Sequence, residues 1–319
     1  MPTPRLDGVS PYRALHEVTL EGYSRAMRKL LVALSLLLLA LDGAVAAQLP
    51  FSTVFKGEDK FHRLVREAQA KNWPALSIGD RTAAVGQALV GTRYVNYTLE
   101  IDDHIEAPSV NFNGLDCWTF FEAALAFARM LDEPQANWTP QRMLHYIEQD
   151  RYRGGRCTGD YLSRLHYLED WLYDNNRRGL VRDLTPSLGG VRVPHSAREM
   201  TILWKSYRYL RNDPSLRVPL RRMEEQVSSR GLRQIPKGRV AAIESQLRNG
   251  DIIGIVSRDG RRFATSHVGL AVRDGSGTLR FMHASAPRNY GKVVVDSRLS
   301  EYLHRYRSHA GILVARPTR

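Results

Sequence analysis

Apolar and polar positions change rhythm along the chain, and each change predicts a different kind of element. In 58–71, Phe61, Leu64, Val65 and Ala68 recur at helical spacing and predict an amphipathic helix. Ala83, Val85, Ala88 and Leu89 predict a second helix over 80–90, ended by Gly91-Thr92-Arg93-Tyr94. Short extended pieces follow around 94–100 and 109–112. The segment 116–131, DCWTFFEAALAFARML, reads as a helix with Asp116 as N-cap, and Phe120, Ala124, Phe127 and Leu131 share one face. It is apolar over much of its surface, so it should be buried. From 139 to 235 the chain reads as mostly helical and polar, with helical spacing in 139–150, 159–176 and 196–211. The Arg-rich stretch 217–233 reads as a further helix or a solvated arm. After Gly250 the texture turns to β. Short apolar runs at 252–256, 267–272, 279–283, 293–295 and 312–315, separated by turns, predict a five-strand antiparallel meander. The expectation is one α+β domain over 47–319, with a helical insertion at about 134–235.

The N-terminal pattern is of another kind. Arg28 and Lys29 precede an apolar run over 30–41, and Ala44-Val45-Ala46 supplies a small-x-small cleavage site. This predicts a signal peptide over about 27–46, with Met27 as the true start. The protein should then be periplasmic or secreted, without a stable membrane span after cleavage. The apolar run falls short of the roughly 20 residues that a span needs.

Composition narrows the partners. The 319 residues carry 46 basic against 33 acidic side chains, a formal net charge of +13. Such a balance favours acidic partners. No basic run is interleaved with aromatics and no zinc-finger spacing occurs, so no nucleic-acid partner is expected. An anionic polymer such as cell wall suits the charge equally well. Two cysteines cannot staple a chain of this length, which needs an apolar core.

No G-x-S-x-G elbow, P-loop, dinucleotide fingerprint or H-E-x-x-H is present. Cys117, directly after the capping Asp116, is the residue placed for chemistry. At a helix start the dipole and unpaired N–H groups should favour thiolate and lower the thiol pKa. The alternative is a buried cysteine acting as a small hydrophobe. His267 opens one predicted strand and His283 closes the next, so both fall near one end of the sheet. A thiol, a base and a residue orienting that base make the generic nucleophile triad; two satisfied surface histidines are the alternative.

The phrases GLDCWTF, SHVGLAV and FMHAS resemble the three core motifs of NlpC-type cell-wall cysteine peptidases. Gly91-x-x-Tyr94 is similar to the Gly-x-x-Tyr that precedes their cysteine, which implies that Tyr94 sits beside the thiol. A narrower resemblance, carried by RYRGG, YLSRLHYLEDWLYDN, IPKGRV, LRNGDIIGI and SHVG, is to the N-acetylmuramoyl-L-alanine amidase-like family. It implies a papain-like fold elaborated with helices. It also implies cleavage of the amide between N-acetylmuramic acid and L-alanine in peptidoglycan fragments (muropeptides), including anhydro-muropeptides. Cys117 would be the nucleophile, His267 the general base and His283 the orienting residue, with no metal or cofactor required. Cys157 after RYRGGR and the loop 261–266 depart from the family pattern. An endopeptidase of the same fold, cutting between D-glutamate and diaminopimelate, and a non-catalytic wall-binding module are the competing readings.

Several residues admit two roles. Arg164, His166, Tyr167 and Trp171 either wall the substrate cleft, with Arg164 pairing a peptide carboxylate, or pack a helix into the core. Arg164 and Tyr167, and Tyr167 and Trp171, stand at helical spacings. His166 and Asp170 make only two ligands, too few for a metal site. Glu122 is read as an ion-pairing residue, Asp251 as a turn residue and Asp102-Asp103-His104 as a solvated loop. Cys157 could pair with Cys117 under oxidising conditions.

Overall fold

The structure is a computed structural model, and it describes residues 49–259 and 262–318. The signal-peptide and start-codon expectations, with residues 1–46, lie outside the described residues. Among the described residues no helix is long and apolar enough to cross a membrane.

The architecture is α+β, built on an antiparallel sheet. Its strands are β1 (Val181–Asp183), β2 (Val191–Val193), β3 (Leu232–Pro236), β4 (Ile252–Asp259), β5 (Arg262–Arg273), β6 (Leu279–Ala284), β7 (Val293–Arg298) and β8 (His309–Pro317). The order across the sheet is β2-β3-β8-β4-β5-β6-β7, and β1 also pairs with β8. All five expected strands are present, but only β4 to β7 form a meander. The fifth, β8, returns to the far side of β4, pairing Ile312 with Ile255 and Ala315 with Ile252. Its other edge takes β3 at Ile312–Ile235 and β1 at Ala315–Asp183. The stretch expected as a helical insertion therefore also supplies three strands. The expected loop 261–266 is likewise corrected: Arg262 to Ser266 belong to β5, paired with β4.

Helices cover both faces. The principal ones are α1 (Glu58–Ala70), α2 (Ile78–Ala88), α3 (Cys117–Met130), α4 (Pro140–Arg151), α5 (Leu168–Arg177), α6 (Arg217–Ser229) and α7 (Leu299–His304). Strand alternation sorts the side chains. Leu270, Val272, Met282 and Ala284 meet Phe120, Ala124 and Phe127 of α3 on one face. Ile253, Ile255, Ala271 and Phe281 meet Leu299, Tyr302 and Leu303 on the other. A smaller cluster under the insertion joins Tyr161, Tyr167, Met200, Tyr209 and Leu220.

Expected helices at 58–71, 80–90, 116–131 and 139–150 match α1 to α4, and 217–229 of the Arg-rich stretch is α6. Two expectations fail. The segment 159–176 holds a single 3-10 turn over Tyr161–Ser163 and then α5 from Leu168. The segment 196–211 is broken into Glu199–Ile202, Trp204–Ser206 and Arg208–Asn212.

Helix α3 is buried throughout from Thr119 to Met130. Its two charged side chains, Glu122 and Arg129, are met by consecutive residues at the end of α4. Arg151 Nε donates to Glu122 Oε2 at 2.7 Å, and Arg129 Nε donates to Asp150 Oδ2 at 3.1 Å. All four side chains are almost wholly inaccessible. Burial of an ion pair adds little net stability, but removing one partner leaves a bare charge in the core. Arg151→Met should therefore lower unfolding stability by about 3–5 kcal/mol. Glu122→Met/Arg151→Met should recover most of the loss, and urea titration of the two variants checks both.

Candidate active site

Cys117 owes its position to the cap of α3. Asp116 Oδ1 accepts the Thr119 N–H at 2.8 Å, and Thr119 Oγ1 accepts the Asp116 N–H at 3.1 Å, which closes a capping box. Thr98 Oγ1 donates to the second carboxylate oxygen at 2.8 Å. The box fixes the first turn and leaves the N–H groups of Cys117 and Trp118 directed at the half-buried sulfur, joined by that of Val268 on β5.

The thiol does not behave as its position at a helix start suggests. Burial, reinforced by the Asp116 charge, pushes its pKa up to about 12. The three N–H groups favour the anion and are outweighed. The expectation of a lowered pKa is corrected, because a dipole effect of about 1 kcal/mol cannot offset removal from water beside a carboxylate.

The histidines sit on neighbouring strands. Ile255 pairs with His267 and Val256 with Thr265, so Ser266 is the extra residue of a β-bulge. Bulges bend a strand and re-aim the adjoining side chain. His267 Nε2 lies 2.8 Å from His283 Nδ1, with the rings nearly perpendicular at 4.8 Å. Gly269 follows His267 by two residues along β5, on the same face of the strand. A Cβ there would lie 2.5 Å from Met282 O and 2.7 Å from the Phe281 ring, and that ring stacks on His283 at 4.7 Å. Burial, with the neighbouring His283, His309 and Arg288, holds the His267 pKa well below the ordinary imidazole value. His267 is thus neutral at rest.

Behind His283 lies Asp296, which sequence reasoning missed. Its Oδ2 is 3.4 Å from His283 Nε2, and its Oδ1 accepts the Ser297 N–H at 2.6 Å and pairs with Arg305 Nη1 at 2.8 Å. Burial opposes its charge, but the hydrogen bonds from His283 and Ser297, with Arg305, hold the carboxyl at about 2. The available signal was a lone carboxylate closing the apolar run Val293-Val294-Val295.

Cys117, His267 and Thr265 line one cavity together with His166 and Tyr167. A second cavity shares Cys117, Trp118 and Tyr207 with the first and is lined further by Tyr94, Tyr97, Tyr161 and Arg164. Tyr94 is thereby brought beside the thiol as expected. Its hydroxyl pKa is raised by burial and then by the charges of Cys117 and Asp116. His166 borders both cavities and hydrogen-bonds Tyr161 O through Nε2 at 2.8 Å. Tyr167 contributes its ring while its hydroxyl donates to Glu224 at 2.6 Å. Arg164 reaches the wall, but its guanidinium is buried against Glu100 at 2.9 Å and Glu106 at 3.5 Å. It organises the wall and has no free charge for a substrate carboxylate. Trp171 is corrected outright: it is fully buried, edge-on to Phe121 at 5.2 Å, and lines neither cavity. The helical-spacing argument fails there because α5 begins at Leu168, leaving 164–167 without a helical face.

Glu122 is ion-paired and Asp251 accepts the Arg248 N–H within its turn, as read from sequence. Asp170, weighed as a metal partner for His166, is held between Arg153 at 2.7 Å and Arg230 at 2.6 Å. Both cysteines are free, and Cys157 Sγ donates to Glu106 O at 3.4 Å.

The chain is similar to known proteins over most of its length. The family model described as N-acetylmuramoyl-L-alanine amidase-like (AmiA-like) matches residues 84–312. An N-acetylmuramoyl-L-alanine amidase from Bacteroides uniformis superposes with a TM-score of 0.67 at 28% identity, over 76% of this chain and 99% of its own. A Bacteroides fragilis protein provisionally named a xylanase gives 0.64 at 32% identity, over 73% of this chain and 99% of its own. A Legionella pneumophila protein at 20% identity, covering 82% of this chain and 94% of its own, shares the fold with a TM-score of 0.60. No curated protein matches the chain. With 84–312 spanning the capped helix, the insertion and both histidine-bearing strands, the chain belongs to the N-acetylmuramoyl-L-alanine amidase-like family.

Proposed function

We propose that this protein is an exported cysteine amidase of the papain-like, NlpC type. It hydrolyses the amide between N-acetylmuramic acid and L-alanine in peptidoglycan fragments. Family membership and the B. uniformis amidase support a peptidoglycan amidase. The observation that carries the cysteine mechanism is the shared cavity of Cys117 and His267, with His283 bonded behind the base. The pattern over 27–46 supports export.

The resting pair is a neutral thiol and a neutral imidazole, so the proton must move as the bond forms. His267 takes the Sγ proton while sulfur attacks the lactyl carbonyl carbon. The oxyanion develops where the N–H groups of Cys117, Trp118 and Val268 already favour negative charge on the sulfur. On collapse the C–N bond breaks and the same proton passes from His267 to the departing L-alanine nitrogen. Water then attacks the thioester with His267 as base, releasing the muramyl carboxylate and restoring the thiol.

The cleft has a direction on this scheme. The general acid must reach the leaving nitrogen, so the peptide lies in the cavity that His267 lines. The acyl half, with the sugar, lies across Cys117 against Tyr94, Tyr97 and Tyr207. Aromatic faces with hydroxyl tips suit a ring that is apolar on one side and hydroxylated at its rim.

Incubation with an anhydro-muramyl tetrapeptide should release intact peptide, read by product mass. Cys117→Ala should abolish turnover, and His267→Ala should cost about 10²–10⁴-fold in kcat. A cut within the peptide would move the protein to the endopeptidase class, and binding without turnover in either form would reduce it to a wall-binding module.

Iodoacetamide labelling of Cys117 in the free enzyme should keep accelerating above pH 9, with no plateau near neutrality. Thiolates are the reacting species. Asp116→Asn retains an acceptor for the cap but removes the adjacent charge, so its labelling curve should move to lower pH.

A further inference from the structure

We propose that Asp296 is a positioning residue that sets the tautomers of both histidines, making Nδ1 of His267 the atom that takes the Cys117 proton. The inference rests on the amidase reading and extends the site to a residue that touches neither substrate nor thiol.

The chain of donors runs in one direction. An ionised carboxylate only accepts hydrogen bonds. Oδ1 of Asp296 is occupied by the Ser297 N–H and by Arg305, which leaves Oδ2 facing His283 Nε2. His283 Nε2 must therefore carry the hydrogen. With His283 neutral, its other nitrogen is then a lone pair, so His283 Nδ1 accepts from His267 Nε2 across 2.8 Å. His267 is left with its hydrogen on Nε2 and its lone pair on Nδ1. The groups facing the two rings are Asp296 from β7, Tyr302 from α7 and Phe281 from β6, and beyond them Arg288, Arg305 and His309. Asp296 is the sole carboxylate among them, and it is almost fully buried.

Reversing the acceptor reverses the chain. In Asp296→Asn, Ser297 and Arg305 still require the amide oxygen, so the NH₂ group turns to His283 Nε2. That nitrogen must then be a lone pair, His283 Nδ1 becomes the donor, and His267 receives a hydrogen bond at Nε2 while its own hydrogen moves to Nδ1. A protonated Nδ1 cannot accept the thiol proton. Asp296→Glu restores an acceptor.

The test uses the full chain labelled with ¹⁵N-histidine, with tautomers read from two-bond ¹H–¹⁵N couplings. Wild type should show both rings as Nε2–H. Asp296→Asn should show both as Nδ1–H, with kcat reduced by about 10²–10⁴-fold, as for wrong-tautomer variants of other nucleophile triads. KM for the anhydro-muramyl tetrapeptide should change little, and Asp296→Glu should recover part of kcat. A wild-type spectrum with hydrogen on His267 Nδ1 overturns the inference, even if the Asn variant fails to fold. So does an Asn variant that keeps both the wild-type tautomers and kcat. In either case the amidase reading stands. Cleavage by Cys117→Ala overturns that reading instead and leaves the tautomer result intact.

Discussion

A wholly buried helix must deliver its first residue to an open cleft, and the site depends on that constraint. Helix α3 can be surrounded by core on all sides because its two charged residues find opposite charges at the end of α4. Its start cannot slide, because the capping box ties Asp116 to Thr119 and Thr98 holds the free carboxylate oxygen. Capping alone contributes about 1 kcal/mol. Combined with burial of a dozen consecutive residues, it fixes Cys117 against β5, where the Val268 N–H meets the sulfur.

The same burial has a chemical cost that the site answers in its second half. A thiol removed from water and set beside Asp116 resists ionisation, so a preformed thiolate is not the resting state. On the proposed mechanism the base must be neutral and correctly oriented when substrate arrives. Low dielectric around His267 keeps it uncharged, and the His283–Asp296 series behind it gives the imidazole a fixed direction. Electrostatically this is closer to a serine-type triad, in which proton and bond move together, than to an ion-paired cysteine site.

Much of this was legible in the sequence, and the failures share a cause. Strands β4 to β8 show their apolar runs locally, α2 to α4 carry their own side-chain caps, and α1 shows its apolar face. Cys117 was legible because it starts its helix, and His267 and His283 because apolar runs adjoin them, although His267 lies in the middle of β5 and not at its start. Strands β1 to β3 were not, because short Arg-bearing runs such as VRV become strands only by pairing with segments far along the chain. Trp171 was misplaced by extending a helix three or more residues before its real start. Asp296 was invisible as a functional residue, since its meaning lies in a contact across two strands. The sign of the thiol shift was missed for the same reason: sequence shows the helix start but not the depth at which tertiary packing sets it.

The arrangement of layers bears on how such an enzyme can change over evolutionary time. His283 stacks on Phe281 and tilts against Tyr302 on the sheet face opposite α3, whereas the aromatic cavity walls come from the insertion and from the segment before the helix. Tyr97 and Tyr207 can vary without entering the packing around His283. Gly269, which touches no cleft, has no such latitude: any side chain there must displace the ring on which His283 rests. Substrate range is thus free to drift across a lineage, while the base is inherited with the backbone.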